Sequence, residues 1–272
     1  MHKKRKRIPI IGILGRREIV IADNNVIFER KGKIEWITFN RPEKLNCLTR
    51  FELSLIIQQL QKISNSDTVR AVIFTGKGDK SFSTGMHVNE FDQLNPQSAY
   101  ELISELRMAC QLIRTIPQVV IMAINGHCIG GALEMSMAAD IRIASKNAVF
   151  SMPEINLGIP SVLDSVLLQK YVGLSLAKEM LLLGEPVDVE RMNQFGFLNL
   201  VVEQDQLRET AEVFANKVVE KPFYTVRQQK ELFQTWQNTN LDYAIKDSVN
   251  KFALTFSTEI PQKRLDAFSK RE

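Results

Sequence analysis

Residues 124–140 read Ile124-Asn125-Gly126-His127-Cys128-Ile129-Gly130-Gly131-Ala132-Leu133-Glu134-Met135-Ser136-Met137-Ala138-Ala139-Asp140, and the fold and chemistry of the chain turn on this stretch. Histidine aside, Glu134 is the only charged residue between Arg114 and Asp140, and it is set among alanine, leucine and methionine. A segment apolar on most of its faces belongs in a core rather than along a surface. A carboxylate there is desolvated, which raises its pKa unless a partner holds the charge. Gly130-Gly131 closes the apolar run Val119–Ile124 and the loop after it, and opens the helix. The free N–H groups and positive dipole end of such a start stabilise a developing anion. Together they make a candidate active site. Each part also has a plain structural reading: paired glycines mark tight turns or close packing, and a lone buried Glu can be paired with a distant cation.

Working outward, Val119–Ile124 and the β-branched run Val69–Thr75 read as buried strands. Val26–Arg30 and Lys33–Asn40 alternate as a hairpin turning at Lys31-Gly32. Thr49 caps a helix running to Ile63, and further helices are predicted over Ala99–Arg114 and Val162–Val172. Asp140–Ala144 and Val149–Ser151 read as two short strands. Strand–loop–helix units recurring in this way point to an α/β architecture. From Leu207 onward the pattern is helical, giving a division into a basic, flexible tail over 1–25, a core over 26–206 and a helical region over 207–272. The loop Gly76-Lys-Gly-Asp-Lys-Ser is no phosphate-cradling loop, because Asp79 stands where that motif needs glycine before its lysine.

Composition narrows the function classes. At 272 residues the chain can bury a full core, and no apolar run reaches the ~18–20 residues of a spanning helix. The net charge of +4 comes from Lys3–Arg7; the other 30 basic residues face 31 acidic ones, so nucleic-acid binding is not implied. The tail lacks the cleavage site of a secretory signal and the serines of a transit peptide. Cys47, Cys110 and Cys128 form no Cys-x-x-Cys pair, and the three histidines do not cluster, so neither a disulfide framework nor a metal site is expected. A reducing, cytoplasmic setting is expected.

Several segments, in order, resemble the enoyl-CoA hydratase/isomerase (crotonase) superfamily over roughly Val26 to Arg271. They are Asn40-Arg-Pro-Glu-Lys-Leu-Asn-Cys-Leu, Phe82-Ser-Thr-Gly-Met-His-Val-Asn-Glu, the central stretch Ile124–Asp140, Phe150-Ser-Met-Pro-Glu-Ile-Asn-Leu-Gly-Ile-Pro, and the later landmarks Gly184–Asp188 and Gly196–Val202. The resemblance implies a spiral of ββα repeats with a C-terminal helical trimerisation region, assembled as a homotrimer or dimer of trimers. It implies an acyl-CoA thioester as substrate, of the kind met in fatty-acid metabolism, with no metal and no further cofactor. Carried over by motif, the two hydratase glutamates fall on Glu134 and Glu154, and the oxyanion-hole N–H groups on Met86 and Gly131. Lys44, Leu45, Thr84, His87, Val88, Gly130, Pro160 and Val162 fall on substrate-binding positions, with Phe268 and Lys270 reaching the adenine end from a neighbouring subunit.

The chemistry matches that implication. Adding water across a double bond conjugated to a thioester needs one group to take a proton from water and another to supply one at Cα, while charge builds on the thioester oxygen. Both glutamates being present favours a hydratase over relatives with one acid; a double-bond isomerase, or a non-catalytic binding protein of the same fold, is the alternative. The chain departs from the family after Pro160, where Ser161-Val-Leu-Asp-Ser165 replaces a glycine-rich run. His87 and Asn89 also replace the commoner Asp and basic residue. The bulk of Val162 and Leu163 predicts a preference for short or flat acyl groups.

Overall fold

The computed structural model describes residues 17–23 and 25–269. Three antiparallel strands begin the chain: β1 (Arg17–Asp23), β2 (Val26–Lys31) and β3 (Ile34–Phe39). β1 falls inside the stretch read from sequence as a flexible tail, so that boundary moves: residues 17–23 pair with β2 at the edge of the sheet. The basic run 3–7 lies outside the described residues. Helix α1 (Arg50–Ser64) follows, opened by a capping box in which the Thr49 N–H donates to Glu52 at 2.7 Å. Then come β4 (Ala71–Gly76), β5 (Ser81–Ser83), α2 (Pro96–Thr115), β6 (Val119–Ile124), β7 (His127–Ile129) and α3 (Gly131–Ala138). α2 starts earlier than its apolar periodicity suggests, because Asn95 accepts from the Ser98 N–H and Pro96 stands at the first helical position.

The second half contains β8 (Ile141–Ser145), β9 (Val149–Ser151), α4 (Leu168–Leu183), β10 (Val187–Asp188), α5 (Val189–Gln194), β11 (Leu200–Val202), α6 (Leu207–Val219), α7 (Phe223–Asn238), α8 (Leu241–Thr255) and α9 (Ile260–Ser269). The helix expected over 162–172 is corrected here. Leu163 has a left-handed φ of 49°, which an α-helix cannot contain, so Leu163–Leu167 winds as a 3₁₀ turn and α4 begins at Leu168, itself broken in two at Gly173 (φ 72°, ψ 164°).

One sheet runs β1-β2-β3-β4-β6-β8-β11, parallel from β3 onward, and a smaller one runs β10-β9-β7-β5. The central strands of the large sheet are apolar on both faces, as buried parallel strands require. The row Trp36, Ile73 and Ile121 lies in register on one face, with Leu207, Ala211 and Ala215 of α6 packed over it. Ile37, Phe74 and Met122 form the matching row on the other face, within the main core that includes α1, α2 and α3. α6, grouped by sequence with the C-terminal helices, therefore seals the sheet. α7, α8 and α9 stand outside it and expose large apolar side chains, among them Leu241, Phe252 and Phe268.

Candidate active site

β5, β7 and the start of α3 bring two glycines into contact. A Cβ on Gly85 (φ 74°) would lie 2.8 Å from the Gly131 nitrogen and 2.8 Å from the Ile129 carbonyl oxygen, so only glycine lets these segments meet. Residues 85–87 are held on their other side by Leu48, whose N–H donates to Gly85 O at 2.8 Å and whose carbonyl accepts from His87 N at 2.7 Å. Extended backbone alternates direction, so the intervening Met86 N–H points away from Leu48. The Gly131 N–H is an unpaired donor of the first turn of α3. Among the described residues neither N–H has a partner, and both residues line one cavity.

That cavity holds about 150 Å³. Besides Met86 and Gly131 its wall includes Glu134, Glu154, Thr84, Val88, Gly130, Pro160 and Val162, nine of the residues marked from sequence. Its lining carries two carboxylates and no basic side chain. Glu134 sits one turn into α3, a helix buried everywhere except Gly131. It is 3 % exposed, and burial drives its pKa from 4.5 up to about 8; the Ser165 hydroxyl pulls it down, while Glu154 and Asp164 push it further up. Glu154 lies on the 3₁₀ turn Pro153–Leu157, where burial also raises its pKa, opposed by a backbone bond and the Ser161 hydroxyl.

Gly130 links the two carboxylates. Its carbonyl caps α3 by accepting from the Leu133 and Glu134 N–H groups at 2.8 and 3.0 Å, and its own N–H donates to Ser151 O at 3.0 Å. It adopts φ 56°, ψ −128°, a region open essentially only to glycine. A Cβ there would fall 2.7 Å from Glu154 Oε1. Bare backbone at this point lets the second carboxylate lie against the start of the helix that carries the first.

The remaining sequence-marked residues are placed elsewhere. Lys44 and Leu45 are exposed; the Leu45 carbonyl accepts from the Thr84 N–H at 3.2 Å, which keeps this turn beside the cavity without lining it. His87 is half-buried, and its Nδ1 accepts from the Asn89 N–H at 3.2 Å. Phe268 is exposed on α9, away from the cavity, and Lys270 lies outside the described residues. Sequence reading missed the apolar wall from α2, Leu102, Ile103 and Leu106, although the i, i+4 spacing of 102 and 106 signals an inward face. It also missed Ser161 and Ser165, whose hydroxyls donate to Glu154 Oε2 at 3.1 Å and Glu134 Oε1 at 2.9 Å.

Two carboxylates, two free N–H donors and an apolar wall can together handle a proton, an oxyanion and an apolar group. The model for the enoyl-CoA hydratase/isomerase family matches residues 29–272. A short-chain-enoyl-CoA hydratase of Clostridium acetobutylicum is 33% identical over 246 residues, covering 90% of this chain and 94% of its own. A crotonyl-CoA hydratase of Syntrophomonas wolfei is 30% identical, covering 91% and 96%. Among solved structures, an enoyl-CoA hydratase from Bacillus anthracis superposes with a TM-score of 0.86 at 26% identity, covering 91% and 97%. Among the described residues no helix is long and apolar enough to cross a membrane.

Proposed function

The chain belongs to the enoyl-CoA hydratase/isomerase family, and from that premise we propose that it hydrates a short 2-enoyl-CoA to the 3-hydroxyacyl-CoA through Glu134 and Glu154. The observation that carries this reading is the meeting of both carboxylates and both unpaired N–H groups, Met86 and Gly131, on one cavity wall. Burial raises the pKa of both carboxylates, that of the more deeply buried Glu134 to about 8. One ionised and one protonated carboxyl is the state hydration needs. The ionised group takes a proton from water, the water oxygen bonds to Cβ, and the π electrons move onto the thioester oxygen. The Met86 and Gly131 N–H groups stabilise that enolate, a donor of this kind being worth ~3–4 kcal/mol. The enolate collapses as Cα receives a proton from the protonated carboxyl, so water is added across the bond. No metal or redox partner enters this chemistry, and CoA arrives with the substrate.

The short acyl preference is supported by Val162, Leu157 and Phe91, apolar side chains that line a cavity of about 150 Å³. A trimer or dimer of trimers is supported by the large apolar side chains that α7–α9 expose, among them Leu241, Val249, Phe252 and Leu265. The buried free thiols of Cys47, Cys110 and Cys128 suit a reducing, cytoplasmic setting. Incubation with C4–C12 2-enoyl-CoA and 3-enoyl-CoA thioesters tests the reading. Loss of the conjugated enoyl absorbance with water incorporation is expected. Interconversion of 2- and 3-enoyl isomers without water incorporation would instead indicate the one-glutamate isomerase.

A further inference from the structure

The turn 161–165 departs from the family pattern, and its side chains converge on both glutamates. Ser161 Oγ donates to Glu154 Oε2 at 3.1 Å, and Ser165 Oγ donates to Glu134 Oε1 at 2.9 Å. Each carboxylate thus has one oxygen held, while Glu134 Oε2 and Glu154 Oε1 have no side-chain donor among the described residues. Between the serines, Leu163 stands at φ 49°, a left-handed conformation that a leucine adopts only when its surroundings impose it. The next residue is anchored. Asp164 is buried, and Arg114 in the last turn of α2 forms an ion pair with it; Cys110, one turn earlier, also hydrogen-bonds to it. The turn is therefore fastened to the helix that supplies Leu102, Ile103 and Leu106 to the cavity.

We propose that Ser161 and Ser165 are the positioning residues for Glu154 and Glu134, and that the Arg114–Asp164 pair fixes the turn that spaces them. This rests on the hydratase reading above. Among the described residues Glu134 has no cation of its own. The ionisable groups around it are Glu154 from the turn after β9, Asp164 from its own turn, and Cys110 from α2, while Arg114 is paired with Asp164. Among the described residues Ser165 is the one side chain that donates to it, beside a bond from the Ser165 backbone, and so steers both its direction and the ease with which it ionises. Ser161 does the same for Glu154 in a wetter position, where water can replace part of the bond.

The two serines govern opposite limbs of the pH profile. The active pair carries one proton, so its loss from Glu134 sets the basic limb and protonation of Glu154 sets the acidic limb. Ser165→Ala removes a bond that favours ionised Glu134, so the basic limb moves to higher pH. Ser161→Ala moves the acidic limb to higher pH.

The experiment measures kcat and kcat/KM for crotonyl-CoA hydration against pH in wild type, Ser161→Ala, Ser165→Ala, Ser165→Thr, Glu134→Gln and Glu154→Gln, with thermal melts on each. Glu134 becomes a carboxylate as it gives its proton to Cα, and a hydrogen bond to a charged group is worth roughly a tenfold to hundredfold effect, so Ser165→Ala is expected to lower kcat by at least about tenfold. Ser165→Thr keeps the hydroxyl and is expected to restore both rate and limb. If Ser165→Ala and Ser161→Ala keep kcat within about twofold and leave both limbs in place, while the glutamine variants are inactive, the proposal is overturned and the hydratase reading stands. A rate loss with unmoved limbs that Ser165→Thr does not rescue marks a merely structural role and also overturns it. Full activity of both glutamine variants removes the hydratase reading, and this proposal with it.

Discussion

Gly130→Ala is a sharp perturbation because one methyl group meets two obstacles at once. The backbone at φ 56°, ψ −128° has to be held by an L-residue, a strain of about 1–3 kcal/mol. The new Cβ would also stand 2.7 Å from Glu154 Oε1, so the carboxylate must retreat by roughly an ångström to reach ordinary van der Waals contact. A misplacement of that size typically costs ~10² in rate. For a chain of this length 1 kcal/mol corresponds to roughly 2–4 °C, so the melting temperature should fall by about 2–12 °C. Hydration of crotonyl-CoA should fall by about a hundredfold with binding retained. In a Glu154→Gln background the same change should cost far less rate, because the group it displaces is already inactive. A Gly130→Ala enzyme with kcat within threefold of wild type would refute the placing of Glu154 against the helix start. So would an equal rate loss in the presence and absence of Glu154.

Two further outcomes follow from the same geometry. Glu134 has a folded-state pKa raised from 4.5 to about 8, so its contribution to stability is fully present below pH 4.5 and is lost as pH rises through 8. Glutamine does not titrate, so the unfolding free energy of wild type relative to Glu134→Gln, followed by denaturant titration, should fall between pH 4.5 and 8 by at most roughly 5 kcal/mol; a difference that stays constant with pH would contradict the burial argument. Val162→Gly opens the cavity wall, and should raise kcat/KM for a C8 2-enoyl-CoA relative to a C4 one by about tenfold; an unchanged ratio would show that Val162 does not bound the acyl end.

The strands β4 and β6 were legible because their apolar runs are β-branched and long, and the central helix because Glu134 is isolated among apolar residues; the short strands β5, β7, β10 and β11 carry no such run and were not. The cavity wall was partly legible for the same reason: Gly130, Gly131 and Glu134 are contiguous in the chain. What escaped was set by long-range contacts. The turn at Leu163 is held by Arg114, fifty residues from Asp164, and nothing local distinguishes it from the start of an apolar helix. The serines read as bulk replacing glycine, because a hydroxyl's partner cannot be seen until the turn is placed against Glu134 and Glu154. α6 was grouped with the other C-terminal helices because periodicity gives its inner face but not the sheet it covers.

The central claim is that Glu134 and Glu154 act as a pair around one water. Steady-state hydration of crotonyl-CoA by Glu134→Gln and Glu154→Gln, with thioester binding measured separately, tests it most directly. General acid–base groups are worth ~10²–10⁴-fold, so each variant should bind the thioester but lose at least about a hundredfold in kcat. The double variant should lose little more than the worse single one, since the two residues act as a unit. Full hydration by Glu154→Gln beside an inactive Glu134→Gln would contradict the pair and leave proton shuttling by one glutamate as the chemistry of this site.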